Sequence, residues 1–367
     1  MRPQVDHAEL EPMIRAILES GRLTSGPTVE RFESMVAAAV GARHAIATTS
    51  ATTALHLALV AGGIGPGDEV LVSDFSFPAT GNVVVQSGAT PVFVDCRQDG
   101  FEMDCGDAQR KLTERTRAIM VVDPFGQPAP MAAAQSIARR AGLLLIEDAA
   151  CALGATVDGV PCGGWEGAGC FSFHPRKILT TGEGGMLTTS DDRLLERAAL
   201  LRSHGGVPGG IAMEFVENGY NYRMSEIQAA LGVVQMMRLD AIVRDRRATA
   251  AAYLERIDGI GGVSVPLSTA AENCTFQSFV VLLDEAIDRD GVVRDLRAEG
   301  IEATLGTYAM HAQPAFARFG YRPGDLPHSW RAQRQAVTLP LLPGMAEEML
   351  DRVVARFGAA VERRSAA

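Results

Sequence analysis

Five short apolar runs, AIAT near residue 45, EVLVS at 69, PVFVD at 91, AIMVV at 118 and LLLIE at 143, are separated by stretches with helical periodicity. Runs that are apolar throughout belong to strands covered on both faces, and joining them through helices demands right-handed crossovers. A mostly parallel sheet in an α/β unit follows. The intervening helices fall on ATTALHLALVAG, on the segment past Pro78, near residue 107 and on MAAAQSIARRA. Two helices precede the first strand. One starts at a capping-box spacing, Asp6 to Glu9, and runs to about Ser20; the other begins after Pro27 and stops at Gly41. Two more strands, GCFSF at 169 and GGMLTT at 184, follow one another without a long helix between them. A single long helical stretch from about Ser225 to Ile257 leads to a different pattern: FQSFVVLL at 276, a helix near Val292 and a last helix from Met345. This predicts a large α/β domain over 1–245 and a smaller α+β domain over 246–367.

A chain of 367 residues with 47% hydrophobic content has enough material for two cores. Its net charge of -10 and the lack of a basic run argue against nucleic acid as a partner. No apolar stretch reaches the roughly 18–20 residues that span a bilayer, and MRPQVDHAEL lacks a signal-peptide core, so a cytoplasmic protein is expected. Six scattered cysteines without a C-x-x-C pair are expected to be free thiols, and no metal site is expected.

Lysine is the informative residue. Of 34 basic residues only Lys111 and Lys177 are lysines, so chemistry that needs a nucleophilic amine has two candidates. Lys111 lies in the polar segment DAQRKLTER and reads as solvated. Lys177 follows an apolar strand and precedes Thr181-Gly182-Glu183-Gly184-Gly185, either as an ordinary surface lysine or as an amine that can approach a carbonyl cofactor, and the scarcity of lysine favours the second. Ligands of an open parallel sheet gather where strands end. There Glu147-Asp148 reads as a solvated turn, a metal ligand or a partner for a protonated ring nitrogen, and no His or acidic cluster stands nearby in sequence to complete a metal shell. Thr48-Thr49-Ser50-Ala51-Thr52-Thr53 opens a helix, either as an ordinary cap or as a seat for an anion on its first N–H groups. An amine, a carboxylate and an anion seat on one sheet edge form the set that pyridoxal 5'-phosphate requires.

At these residues the chain resembles the DegT/DnrJ/EryC1/StrS family of pyridoxal-phosphate-dependent sugar aminotransferases. The likeness runs from TSGPTVERFE through SATTALHLAL, GIGPGDEVLVSDFSFPAT, GATPVFVD, IEDAACALGA, FSFHPRKILTTGEGGMLTT, LRSHG and GYNYRMSEIQAALG to LPLLPGM. The resemblance implies the aspartate aminotransferase-like fold (fold type I). It makes Lys177 the Schiff-base lysine and proton shuttle, and sets Asp148 against the pyridine nitrogen. Thr52, the backbone at Thr53 and Ser172 would hold the phosphate, with Phe77 stacked on the ring. Asn221 would reach the phosphate of a neighbouring subunit, so active sites would be shared in a homodimer. The chain departs from the family pattern at Asp123, where His is frequent, and at Cys151, where Gln is usual. That Lys177 is present argues against the branch in which His replaces the lysine.

The implied reaction moves an amino group from L-glutamate to a nucleotide-linked keto sugar. TTGEGG and GYNYRM resemble members that act at C4 of a 4-keto-6-deoxy sugar, whereas C3 members more often read GDGG and NSRLD. Cyclitol and amino-shikimate relatives also carry GEGG, and a regulator that kept the fold without catalysis is the rival from another class. Arg202, Arg223 and Arg318 are candidates for a diphosphate and equally for surface or ion-pair roles.

Overall fold

The computed structural model describes residues 5–342 and 344–365. Helices α1 (His7–Ser20) and α2 (Pro27–Val40) form as read. The Asp6 side chain accepts from the N–H groups of Ala8 and Glu9, and Gly41 closes α2 in the left-handed conformation at φ 71°. The strands are β1 (His44–Thr48), β2 (Glu69–Ser73), β3 (Thr90–Val94), β4 (Thr116–Val122), β5 (Leu144–Asp148), β6 (Ala168–Ser172) and β7 (Gly185–Thr189), in spatial order β1-β7-β6-β5-β4-β2-β3. Neighbours from β6 to β3 pair in parallel; β7 pairs antiparallel with both β6 and β1, so it alone runs against the sheet. Six strands therefore end on one edge, where β7 begins.

Between the strands lie α3 (Ala51–Ala61), α4 (Ala79–Gln86), α5 (Cys105–Arg110) and α6 (Met131–Ala141). Alternate strand residues point to opposite faces, and here both faces are covered. Val70, Val72, Ala118, Met120 and Ile146 pack with α3 and α4, while Leu71, Ile119, Val121 and Leu145 pack with α6. This is why the strands read as unbroken apolar runs.

After α7 (Asp192–Arg202) the expected single helix over 225–257 is two: α8 (Glu226–Met236) and α9 (Leu239–Ile257). Arg238, at φ -113° and ψ 5°, interrupts the helical backbone. The break lets α8 pack on α2 while α9 heads for the second sheet, where Tyr253 stacks on Phe279 with ring centroids 4.7 Å apart. Apolar periodicity continues across such a corner, so the pattern alone does not reveal it.

The second sheet is antiparallel, in the order Val263–Ser264, Phe279–Leu283, Ala336–Leu339, Thr304–Leu305. It is covered by α10 (Arg289–Ala298) and α12 (Glu347–Ser365), with α11 (Pro327–Gln335) beside it. The last helix starts two residues beyond Met345, and Pro343 of LPLLPGM lies outside the described residues. The segment between these strands returns to the large sheet. Tyr308–Ala309 pairs antiparallel with Phe75–Ser76, and Met310, Phe316 and Leu326 are buried with Val83, Val84 and Phe93. Each such side chain contributes about 1.5–3 kcal/mol of burial. Among the described residues no helix is long and apolar enough to cross a membrane.

Candidate active site

The edge where the strands end carries the polar residues singled out above. Thr48 and Ser172 both pair with Gly185, so β1, β7 and β6 bring the start of α3 beside Ser172. Gly185 is required there: a Cβ at this position would stand 2.2 Å from the carbonyl carbon of Ser50. Ser50 caps α3, its hydroxyl accepting from the Thr53 N–H at 3.2 Å, and the Thr53 hydroxyl is turned back onto the Ser50 backbone. Thr53 is thus engaged in the cap. Among the described residues the Thr52 hydroxyl has no hydrogen-bond partner, and the N–H groups of Ala51 and Thr52 begin the helix ahead of its bonding ladder.

Asp148 is buried at the end of β5. The Thr80 hydroxyl donates to its Oδ2 at 2.8 Å, and the Ala150 N–H donates to Oδ1 at 3.3 Å. Ser76 and Thr80 oxygens lie 2.8 Å apart, so the Ser76 hydroxyl supports the arrangement. Burial pushes the Asp148 carboxyl above the usual carboxylate range, against the Thr80 bond, the Lys177 charge and the Ala150 N–H. A cationic N–H brought to this carboxylate would offset the lost hydration.

Lys177 lies in a loop pinned at both ends. Its own N–H bonds to the His174 carbonyl, while Phe173 bonds to the Gly184 carbonyl and accepts from the Thr181 N–H. The Lys177 side chain is half-buried and its Nζ donates to Cys151 Sγ at 3.0 Å. Lys111, expected to be solvated, is instead half-buried: its Nζ donates to the Phe93 carbonyl at 2.8 Å and to Asp107 at 2.6 Å. The partners are one helical turn away and on a neighbouring strand, which the polar segment did not reveal.

The Phe77 ring is 62% exposed and stands edge-on to Tyr308, with centroids 6.5 Å apart. Asn221 is exposed and pairs through its backbone with Ser203; no hydrogen bond joins it to the Lys177–Asp148 edge. Of the arginines considered for a diphosphate, Arg202 is held by Glu33 at 2.8 Å and by the Ala47 carbonyl, and Arg318 lies over the Phe319 ring. The sequence reading missed Thr80 and Ser76. Ser76 ends a short strand and Thr80 stands in the first turn of α4, so the turn between them, and no helical spacing, brings their hydroxyls together. It also missed a fully buried group, Asp123, Glu147 and Cys162, whose side-chain atoms lie within 4.8 Å of one another.

These residues fit pyridoxal phosphate: a buried carboxylate with the charge of an amine acting on it, an open helix start and an exposed ring occupy the same edge. The fold is shared with solved structures. DesV of S. venezuelae, in complex with a ketimine intermediate, superimposes with a TM-score of 0.92 at 34% identity over 99% of both chains. In sequence the chain is 38% identical to GDP-perosamine synthase of Caulobacter vibrioides over 96% of this chain and 95% of that one. It is 37% identical to a pleiotropic regulatory protein of Geobacillus stearothermophilus over 96% and 95%. The family model of the DegT/DnrJ/EryC1/StrS aminotransferases matches residues 4–358, and the chain belongs to that family.

Proposed function

We propose that the protein is a pyridoxal-phosphate-dependent aminotransferase that carries an amino group from L-glutamate to a keto sugar on a nucleotide, at C4 of a 4-keto-6-deoxy sugar. The observation that carries this reading is the convergence of Lys177 and buried Asp148 at one strand edge. Bound there, pyridoxal phosphate supplies a ring that accepts the electron pair left when a C–H bond beside nitrogen breaks. Asp148 would meet the ring nitrogen and keep its proton on, with Thr80 orienting the carboxylate. Thr52, the first N–H groups of α3 and Ser172 would hold the phosphate, and Phe77 would cover the ring. Lys177 Nζ takes the proton from the α-carbon of glutamate and returns one to the sugar carbon. Cys151 is the thiol nearest that amine and takes the place of a longer amide side chain.

The C4 assignment is supported by TTGEGG and GYNYRM and by the likeness to GDP-perosamine synthase. Asn221, exposed in the single chain, is assigned to the phosphate of a partner protomer in a homodimer. The hairpin of Gly206–Gly209 and Ala212–Phe215, with Ile211, Met213 and Phe215 exposed, is consistent with contact to a second copy. The large domain is assigned to 1–245 and the smaller to 246–367, with 308–326 docked back on the former.

A non-catalytic role deserves a second reading because one relative is named a regulatory protein. One assay separates them: 2-oxoglutarate release from glutamate with a panel of nucleotide-linked 4-keto and 3-keto sugars. Turnover with 4-keto acceptors is expected; none with any acceptor, from cofactor-loaded protein, overturns the enzymatic reading.

A further inference from the structure

Behind Asp148 lie two acids that the proposed reaction does not use. Asp123 follows β4 and Glu147 precedes Asp148 on β5; their relative exposures are 0% and 1%. Each has one oxygen satisfied by a backbone donor, Asp123 Oδ1 by the Ala129 N–H at 2.8 Å and Glu147 Oε2 by the Gly163 N–H at 2.7 Å. The other two oxygens, Asp123 Oδ2 and Glu147 Oε1, are buried without a hydrogen-bond partner among the described residues. Two ionised carboxylates cannot remain so placed at ordinary cost, since each buried charge without a partner is penalised by several kcal/mol.

We infer that Asp123 and Glu147 share one proton in an O–H···O bond between these oxygens, and that the pair fixes the strand end from which Asp148 projects. A divalent cation fits less well. Each carboxyl offers one oxygen, the third candidate is the Cys162 thiol, which burial and the two acids keep protonated, and among the described residues no fourth ligand joins them. A proton needs only the two oxygens. Burial pushes Asp123 up to about 7, and burial with the Asp123 charge holds Glu147 well above the usual range. The other titratable groups facing the pair are Cys162, Asp148 and, on β6, Cys170; Lys177 acts on Asp148 from beyond. The connection to Asp148 is direct, because the Asp123 N–H donates to the Asp148 carbonyl at 3.1 Å. This second clause rests on the function proposed for Asp148; the shared proton does not.

The test is denaturant unfolding of the full chain from about pH 5 to about pH 8, for the native protein, Asp123→Asn and Glu147→Gln. Above the ordinary carboxylate range the unfolded chain has released both protons while the folded pair keeps one. Raising the pH then favours unfolding, by up to about tenfold in the unfolding constant per pH unit. In Asp123→Asn the amide N–H replaces the shared proton, and in Glu147→Gln the amide does so from the other side. Both are expected to lose that slope, and either suffices if the other fails to fold. Equal slopes in the native protein and in every variant that folds overturn the shared proton. So does a stoichiometric metal, found by elemental analysis, that the substitutions release. Cofactor uptake, followed by absorbance over the same pH range, tests the second clause. Affinity is expected to fall with pH in the native protein and to stay flat in the variants; identical profiles overturn the positioning role. A native protein that takes up no cofactor at any pH, yet shows the stability slopes, refutes the proposed function and leaves the shared proton standing.

Discussion

Thr80 Oγ1 donates to Asp148 Oδ2 at 2.8 Å, and among the described residues this hydroxyl is the one side-chain donor on a carboxylate whose burial opposes its charge. A hydrogen bond to a charged group is worth about 1.5–3 kcal/mol. Thr80→Val keeps the shape and removes the bond, so cofactor affinity is expected to fall roughly tenfold to a hundredfold, measured by equilibrium titration. Thr80→Ser should restore most of it. Affinity unchanged in Thr80→Val would remove Asp148 from the cofactor.

The two lysines should separate cleanly. Lys177→Ala is expected to abolish turnover and the absorbance of the lysine-bound cofactor, since among the described residues no other amine is placed at the strand edge. Lys111→Ala removes the ion pair with Asp107 and the bond to the Phe93 carbonyl. It should cost about 1–3 kcal/mol of stability in denaturant unfolding and leave the turnover number near native. Borohydride reduction of the loaded protein followed by peptide mapping should label residue 177; a label at 111 reverses the assignment.

How much of this was legible in the sequence depends on distance along the chain. The strands were readable because both faces of the sheet are covered, so Val70 and Leu71 are equally buried though they point opposite ways. That Lys177, Asp148 and the start of α3 share an edge was readable because each ends or follows a strand, and parallel strands end together. The corner at Arg238 was not, because both helices keep one apolar face. The pairing of Asp123 with Glu147, of Thr80 with Asp148 and of Lys111 with Phe93 depends on which strands become neighbours, and periodicity carries no such information.

Asp74 and His311 give the clearest pH dependence outside that edge. His311 Nδ1 lies 2.6 Å from Asp74 Oδ2 with both side chains fully buried, joining the end of β2 to the segment that returns from the smaller sheet. Burial works against a charged imidazole, yet the bond and charge from Asp74 outweigh it and raise His311 above its usual value. Because the folded protein binds this proton more tightly than the unfolded chain, the contribution is complete below about pH 6.5. It is lost as pH rises through the raised value. Unfolding followed from pH 6 to pH 9, on the order of the histidine range and beyond, should show stability falling upward, and His311→Gln should make that fall shallower, leaving the part that Asp123 and Glu147 contribute. His311→Ala, which leaves a buried carboxylate without its partner, should cost about 3–5 kcal/mol.

Gly185 tests the anion seat without touching a polar group. Its Cβ would lie 2.2 Å from the Ser50 carbonyl carbon and 2.6 Å from the Ala51 nitrogen, distances that backbone atoms cannot share. Gly185→Ala must therefore push β7 away from the first turn of α3, where the phosphate is assigned. Overpacking of this kind costs about 1–3 kcal/mol, to be read from denaturant midpoints. The sharper expectation concerns ligands. Affinity for pyridoxal phosphate should fall much more than affinity for pyridoxal, which has no phosphate to lose contact with, because the displaced N–H groups of Ala51 and Thr52 bind only the anion. An equal loss for both would place the phosphate somewhere other than the start of α3.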